Sequence, residues 1–199
     1  MKRLILLTFS FLLISIKVLA VTYNSEPKIF ISELVNDAIK TLGDKNLTQE
    51  EKNTFIAKIA KDNVDIKALG LYTLGDLRKT VEKETLVKYQ NLFEKYFLKS
   101  LTSRLTDYTS EKFEVINSDK KNAKYTIVNS RIAESKDKPE IKIDWRVYTK
   151  DPLKPLIRDL IVEGLSLART QREEFSSILN SNNNDINALF NKLQEFISN

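Results

Sequence analysis

Apolar residues recur at helical spacing through the first half of the chain. Ile31, Leu34, Val35, Ala38, Ile39 and Leu42 share one face of a helix over Ser25–Leu42, and Gly43 supplies its stop. Thr48 followed by Glu51 is a capping-box signature opening a second helix with Phe55, Ile56 and Ile59 on its face. A third runs from near Asp65 toward Leu74, where Gly75 breaks it. The longest starts at Thr80–Glu82. Its stripe of Leu86, Tyr89, Phe93, Tyr96, Phe97, Leu101, Leu105 and Tyr108 predicts a broad apolar face.

At Lys112 the period changes. Lys112–Asn117, Ala123–Glu134, Pro139–Thr149 and Pro155–Val162 read as four strands. The turns between them are Asn117-Ser118-Asp119, Ser135–Lys138 and Lys150-Asp151-Pro152. Ile141, Ile143, Trp145 and Val147 alternate with Lys142, Asp144, Arg146 and Tyr148. One face is apolar and the other wet, which predicts an antiparallel sheet with helices on one side. The run Leu160-Ile161-Val162 breaks at Glu163-Gly164, and a helical pattern follows through Leu165, Ala168, Arg172, Phe175 and Leu179. A last helix, Asp185–Ile197, has Asp185 as its N-cap. The order predicts an α+β roll: a curved four-stranded antiparallel sheet wrapped by N- and C-terminal helices around one cone-shaped core. The open end of the cone is the candidate apolar cavity. Phe93, Phe97, Leu101, Trp145, Val147, Val162 and Leu165 are its expected lining, with Tyr89 and Phe175 on the same helix faces. Ordinary core packing is the alternative role for each.

Composition narrows the chemistry. Met1-Lys2-Arg3, the apolar run Leu4–Ile16 and Val18-Leu19-Ala20 read as a cleaved signal peptide over residues 1–20. The apolar run is 13 residues, short of the roughly 20 that a spanning helix needs, although an uncleaved anchor is the alternative. The remaining 21–199 read as a single domain. The whole chain has 32 basic and 27 acidic residues; without Lys2, Arg3 and Lys17 the balance is 29 to 27. That interspersed surface gives no reason to expect nucleic acid. The chain contains no His and no Cys. Thiol nucleophiles, His-based triads, disulfides and the usual zinc sites are excluded, so no metal or cofactor is expected. Asp144, Asp159 and Glu163 are the carboxylates to weigh for acid–base work, against surface or structural roles. An isomerase- or dehydratase-like site would need Tyr148 or Tyr125 beside an inward carboxylate. A periplasmic chaperone shielding apolar polypeptide is a further alternative.

Three blocks carry a resemblance. They are Leu74-Gly75 with the helix through Tyr89, Phe93 and Tyr96; the strand Ile141–Trp145; and Asp159–Ser166 followed by Arg172, Phe175 and Asp185–Leu189. In these the chain resembles the MlaC family of periplasmic phospholipid-binding proteins, the toluene-tolerance auxiliary components of ABC transporters. The resemblance implies an NTF2-like roll and a soluble, non-enzymatic shuttle with no cofactor. It also implies partners: an inner-membrane ABC transporter with an MCE-domain subunit and an outer-membrane lipoprotein–porin complex. Nothing demands more than a monomer. Under this reading Tyr89, Phe93, Phe97, Leu101, Trp145, Val147, Val162, Leu165 and Phe175 meet the lipid tails. Arg172 is the candidate headgroup contact, with pairing to Glu163 as its alternative. Lys99, Arg104, Lys120, Lys121 and Lys124 form a candidate basic patch, either a solvated face or a dock for an acidic transporter subunit.

Overall fold

The computed structural model describes residues 22–105, 112–134 and 139–199. The expected targeting segment 1–20, Tyr108 and the turn Ser135–Lys138 lie outside the described residues. The elements are α1 (Pro27–Gly43), α2 (Gln49–Asn63), α3 (Ile66–Thr73), a short 3₁₀ segment (Gly75–Lys79) and α4 (Lys83–Leu105). Then come β1 (Phe113–Lys120), β2 (Tyr125–Ile132), β3 (Ile141–Tyr148), β4 (Leu156–Val162), β5 (Leu165–Ser166), α5 (Leu167–Asn180) and α6 (Ile186–Ser198).

Local chemistry explains the helix starts. The Glu26 carboxylate accepts from the Lys28 and Ile29 N–H groups, and Pro27 opens the first turn. The Thr48–Glu51 box forms in full, and the Thr48 backbone and hydroxyl hold the Glu51 carboxyl below its ordinary pKa. Asp65, Ser166 and Asp185 cap α3, α5 and α6 in the same manner.

The sheet is a meander, β1-β2-β3-β4-β5, with every neighbouring pair antiparallel. It has five strands where the sequence predicts four. Glu163 (φ 49°) and Gly164 (φ 80°) form a two-residue reversal with both φ values positive. The chain therefore returns as Leu165–Ser166 against Ile161–Val162 before α5 begins. The expected Asn117–Asp119 turn is also displaced. Those residues continue β1 past an irregularity at Val115/Asn117. The reversal falls at Lys121–Lys124 instead, where the Asn122 side chain accepts from the Lys124 and Tyr125 N–H groups at 2.8 and 3.1 Å.

Helices flank both faces of the sheet, correcting the one-sided expectation. Val128, Trp145, Val147 and Ile157 pack against Phe30, Ile31 and Leu34 of α1. Neighbouring strand residues point the opposite way, so Ile127, Asn129, Asp144 and Arg146 face α3 and the start of α5. α3 is held there because the Asp65 N–H donates to the Ile157 carbonyl at 2.9 Å and Val64 bridges to Ile157. The expected single cone-shaped core is correspondingly divided. A helical cluster joins Leu69, Tyr89, Phe93, Ala168, Phe175, Leu189, Phe190 and Leu193. A third, smaller cluster joins Leu42, Ile56 and Ile59, with Leu101 against it. The sheet lies between the α1 cluster and the helical one, and Val64, between α2 and α3, packs against both.

Gly70 sets the closest approach of α3 to α4. A Cβ there would lie 2.9 Å from Phe93 Cδ1, and the Phe93 ring is fixed by Tyr89, Phe97 and Phe175 around it. Gly70→Ala gains about 1 kcal/mol in helix propensity, against ~1–3 kcal/mol for overpacking. Urea unfolding of this variant is expected to show a net loss of about 1 kcal/mol; a gain in stability would mean that the ring yields freely.

Candidate functional site

The side of the sheet turned away from α1 carries a groove of about 730 Å³. Ala68, Leu69 and Tyr72 of α3 form one wall, and Ala168 of α5 closes part of it. The floor comes from three strands: Tyr125, Ile127 and Asn129 on β2, Asp144 and Arg146 on β3, and Arg158 and Ile161 on β4. Lys121 and Asn122 border it at the β1–β2 turn. Leu69, Ile127, Ile161 and Ala168 give the groove an apolar stretch. Leu69 and Ala168 also belong to the helical cluster, so the groove wall continues directly into that apolar core.

The polar strip of the floor is internally paired. Asn129 and Asp144 are cross-strand neighbours, and the Asn129 amide donates to Asp144 at 2.7 Å. Arg146 and Asp159 are neighbours across β3 and β4, 3.3 Å apart. A bulge between Arg146 and Val147 leaves Arg158 without a cross-strand partner and puts its side chain on the groove face beside Asp159. Arg158 donates to Asp65 through Nε at 2.8 Å and Nη2 at 2.7 Å, and to the Tyr125 hydroxyl through Nη1 at 2.9 Å. Its guanidinium also lies 3.4 Å from the centre of the Tyr148 ring. Burial opposes the charge, but the hydrogen bonds to Tyr125 and Asp65 prevail and raise the Arg158 pKa above its ordinary value. Asp159 is 1% exposed. It accepts from the Ser166 hydroxyl at 2.7 Å and the Ala168 N–H at 3.0 Å. Its acceptor capacity is spent on holding α5 to the sheet, which is a structural role. Tyr125 and Tyr148 form an edge-on ring pair beneath Arg158.

The residues expected to line one cavity are distributed over several places. Trp145 and Val147 face α1, where the indole N–H donates to Ser130 at 2.9 Å. Tyr89, Phe93 and Phe175 are buried in the helical cluster, with Phe97 half-buried against them. Burial pushes the Tyr89 hydroxyl pKa up, and that hydroxyl bonds Thr73 at 2.9 Å. Leu101 packs on the third cluster, Val162 is half-buried beside β5, and Leu165 is 69% exposed. None of the nine borders the groove. Arg172 borders a shallower depression of about 570 Å³ on the outer side of α5, its guanidinium 5.2 Å from the Tyr72 ring centre. Tyr72 borders both depressions. Glu163 instead accepts from the Lys142 N–H. Of the candidate basic patch, Lys99 donates to the Ile197 carbonyl at 2.9 Å and Arg104 ends α4, while Lys120, Lys121 and Lys124 surround the β1–β2 turn.

Arg146 falls on the strand face expected to be solvated, and Arg158 reaches the groove only through the bulge opposite Arg146/Val147, which alternation does not foresee. One signal pointed to a covered second face. Leu160-Ile161-Val162 is apolar at three successive positions, which in a strand means that both faces are covered.

A family model described as MlaC protein matches residues 32–195, a span that includes every groove residue. No curated protein matches the chain. Among solved structures, a phospholipid-binding protein from Ralstonia solanacearum, determined in complex with a phospholipid, superposes with a TM-score of 0.68. The match covers 84% of this chain and 94% of that one at 17% identity, a likeness of fold.

Arg158 links β4 to the N-terminus of α3, so its loss is expected to loosen the groove. Arg158→Ala should lower unfolding free energy by about 2 kcal/mol, because Asp65 keeps a half-buried charge without its partner. Arg158→Lys should recover little of this, since an ammonium cannot fork to Asp65 while stacking on Tyr148. Full recovery by Lys in a denaturation series would show that charge alone suffices.

Proposed function

The chain belongs to the MlaC protein family, and from that membership together with the groove we propose that it is a periplasmic phospholipid carrier. It binds and transports lipid without breaking bonds. Its exchange partners are an inner-membrane ABC transporter with an MCE-domain subunit and an outer-membrane lipoprotein–porin complex, and its segment 1–20 is the export signal. The observation that carries this reading is the continuity between the groove and the helical core at Leu69 and Ala168. A phospholipid needs an apolar path for its tails and a wet, cationic station for its phosphate, side by side.

The tails run along Leu69, Ile127, Ile161 and Ala168. They enter between the helices where Tyr89, Phe93, Phe97 and Phe175 pack on one another. Ile127 and Ile161 take the place expected of Trp145 and Val147, which lie behind the sheet. The phosphate meets Arg146 and Arg158, with Arg172 beside them across Tyr72. The driving force is large: transferring acyl chains out of water is worth about 0.8 kcal/mol per CH₂. Release must therefore come from a partner that opens or competes for the groove.

Lipid extraction and mass spectrometry on protein purified without detergent test this. Phospholipid in near-stoichiometric amount is expected, and Ile127→Glu or Ile161→Glu should reduce it severalfold while the fold persists by circular dichroism. Folded protein that holds no lipid and takes none from vesicles overturns the carrier reading and favours the shielding of apolar polypeptide.

A further inference from the structure

The two hairpin tips at one end of the sheet form a separate surface. Antiparallel pairing brings the β1–β2 turn and the β3–β4 loop to the same end, and the Thr149 N–H donates to the Lys124 carbonyl at 2.8 Å to join them. These tips carry Lys120, Lys121, Lys124, Lys150 and Lys154 against Asp119 and Asp151, a net charge of +3. Residues 21–199 together carry only +2, so this end outweighs all the rest of that span. Lys121 pairs with Asp119. The other four lysines are exposed and make no ion pair among the described residues.

Leu153 stands between Lys150 and Lys154 and is 84% exposed. It is held there by a built turn. The Asp151 carboxylate accepts the Leu153 N–H at 3.0 Å, the Lys154 N–H returns to the Asp151 carbonyl at 3.3 Å, and Pro155 is buried at the base. Asp151 is thus engaged by the turn's own backbone. The groove lies directly behind this end, bordered by Lys121 and Asn122.

We propose that the hairpin tips dock on the surface of an anionic phospholipid bilayer, with Leu153 inserted among the headgroups and the lysines around it held at the phosphates. Exposed, unpaired lysines on both tips together with one projecting leucine match the two layers of such a surface, charge outside and hydrocarbon beneath. Docked so, the groove opens toward the bilayer rather than toward bulk water. Cargo exchange at that surface rests on the carrier reading above; the docking contact itself does not.

Sedimentation with vesicles of phosphatidylcholine alone, and of phosphatidylcholine mixed with phosphatidylglycerol, reads this directly. Binding is expected only to the anionic vesicles and should fall steeply with added salt. Each lysine neutralised should cost about fivefold in affinity, so Lys150→Gln with Lys154→Gln should weaken binding by about 25-fold. Leu153→Ser should weaken it by about tenfold. Lys83→Gln with Lys95→Gln, an equal charge change on exposed α4 positions, should leave binding unchanged. Equal binding to both vesicle types, or indifference to the tip variants, overturns the proposal. Co-purified phospholipid with no vesicle binding overturns docking and leaves the carrier standing. Anionic vesicle binding by a protein that holds no lipid does the reverse.

Discussion

The buried carboxylate of Asp159 is the constraint on which the groove depends. A carboxylate taken out of water costs several kcal/mol unless its lone pairs are filled. Here the Ser166 hydroxyl and the Ala168 N–H donate to it, and the Arg146 guanidinium, 3.3 Å away, balances its charge. Each partner belongs to a different part of the chain: the short return strand, the first turn of α5, and the neighbouring strand. Satisfying one charge therefore fixes the distance from β4 to the start of α5, and Ala168 is placed at the edge of the groove as a result. The adjacent Arg158 does the same for α3 through Asp65. Two consecutive residues of one bulged strand thus anchor the two helices that wall the groove.

The same bulge explains why the sheet can serve two purposes. Its α1 face is dry and closely filled, with Trp145 and Ser130 hydrogen-bonded inside it. Its other face keeps Asn129, Asp144 and Arg146 in mutually satisfied pairs. A regular strand would alternate Arg158 to the α1 face, where a guanidinium would have no water and no partner. The extra residue turns it to the groove instead. The sheet is thus a partition, with structural packing on one side and the candidate lipid path on the other.

The parts of this arrangement that sequence made legible are those set by local chemistry. The Thr48–Glu51 box, the Asp185 cap and the stripe from Leu86 to Leu101 each depend on residues within a turn or two. Alternation along Ile141–Tyr148 correctly separated the two faces of β3. It does not say which helix covers which face, because that is decided by pairings more than a hundred residues apart, such as Phe30 with Trp145. Trp145 and Val147 were accordingly expected in the cavity and pack behind it. Leu165 was read as the first residue of a helix face. The two positive φ angles at Glu163 and Gly164 make it a strand residue instead, and its side chain faces solvent. A register bulge leaves no compositional trace, so Arg158 was invisible as a groove residue.

The pairing of the groove's charges bears on how such a site would handle cargo. A guanidinium has five N–H donors. Arg158 spends three of them on Asp65 and Tyr125, while Arg146, 43% exposed on its side chain, is ion-paired with Asp159 at 3.3 Å. A phosphate can be met by the donors left over without breaking either ion pair. That keeps the floor rigid whether the groove is empty or filled. On the proposed reading, the phosphate would meet cations already partly neutralised, which would weaken its hold relative to bare guanidinium groups. Tail burial then supplies most of the affinity and the headgroup contact mainly orientation. On the proposed carrier reading, such a site would tolerate different headgroups. It would give up its cargo when a partner offers the tails another apolar surface, since that is where its binding free energy would lie.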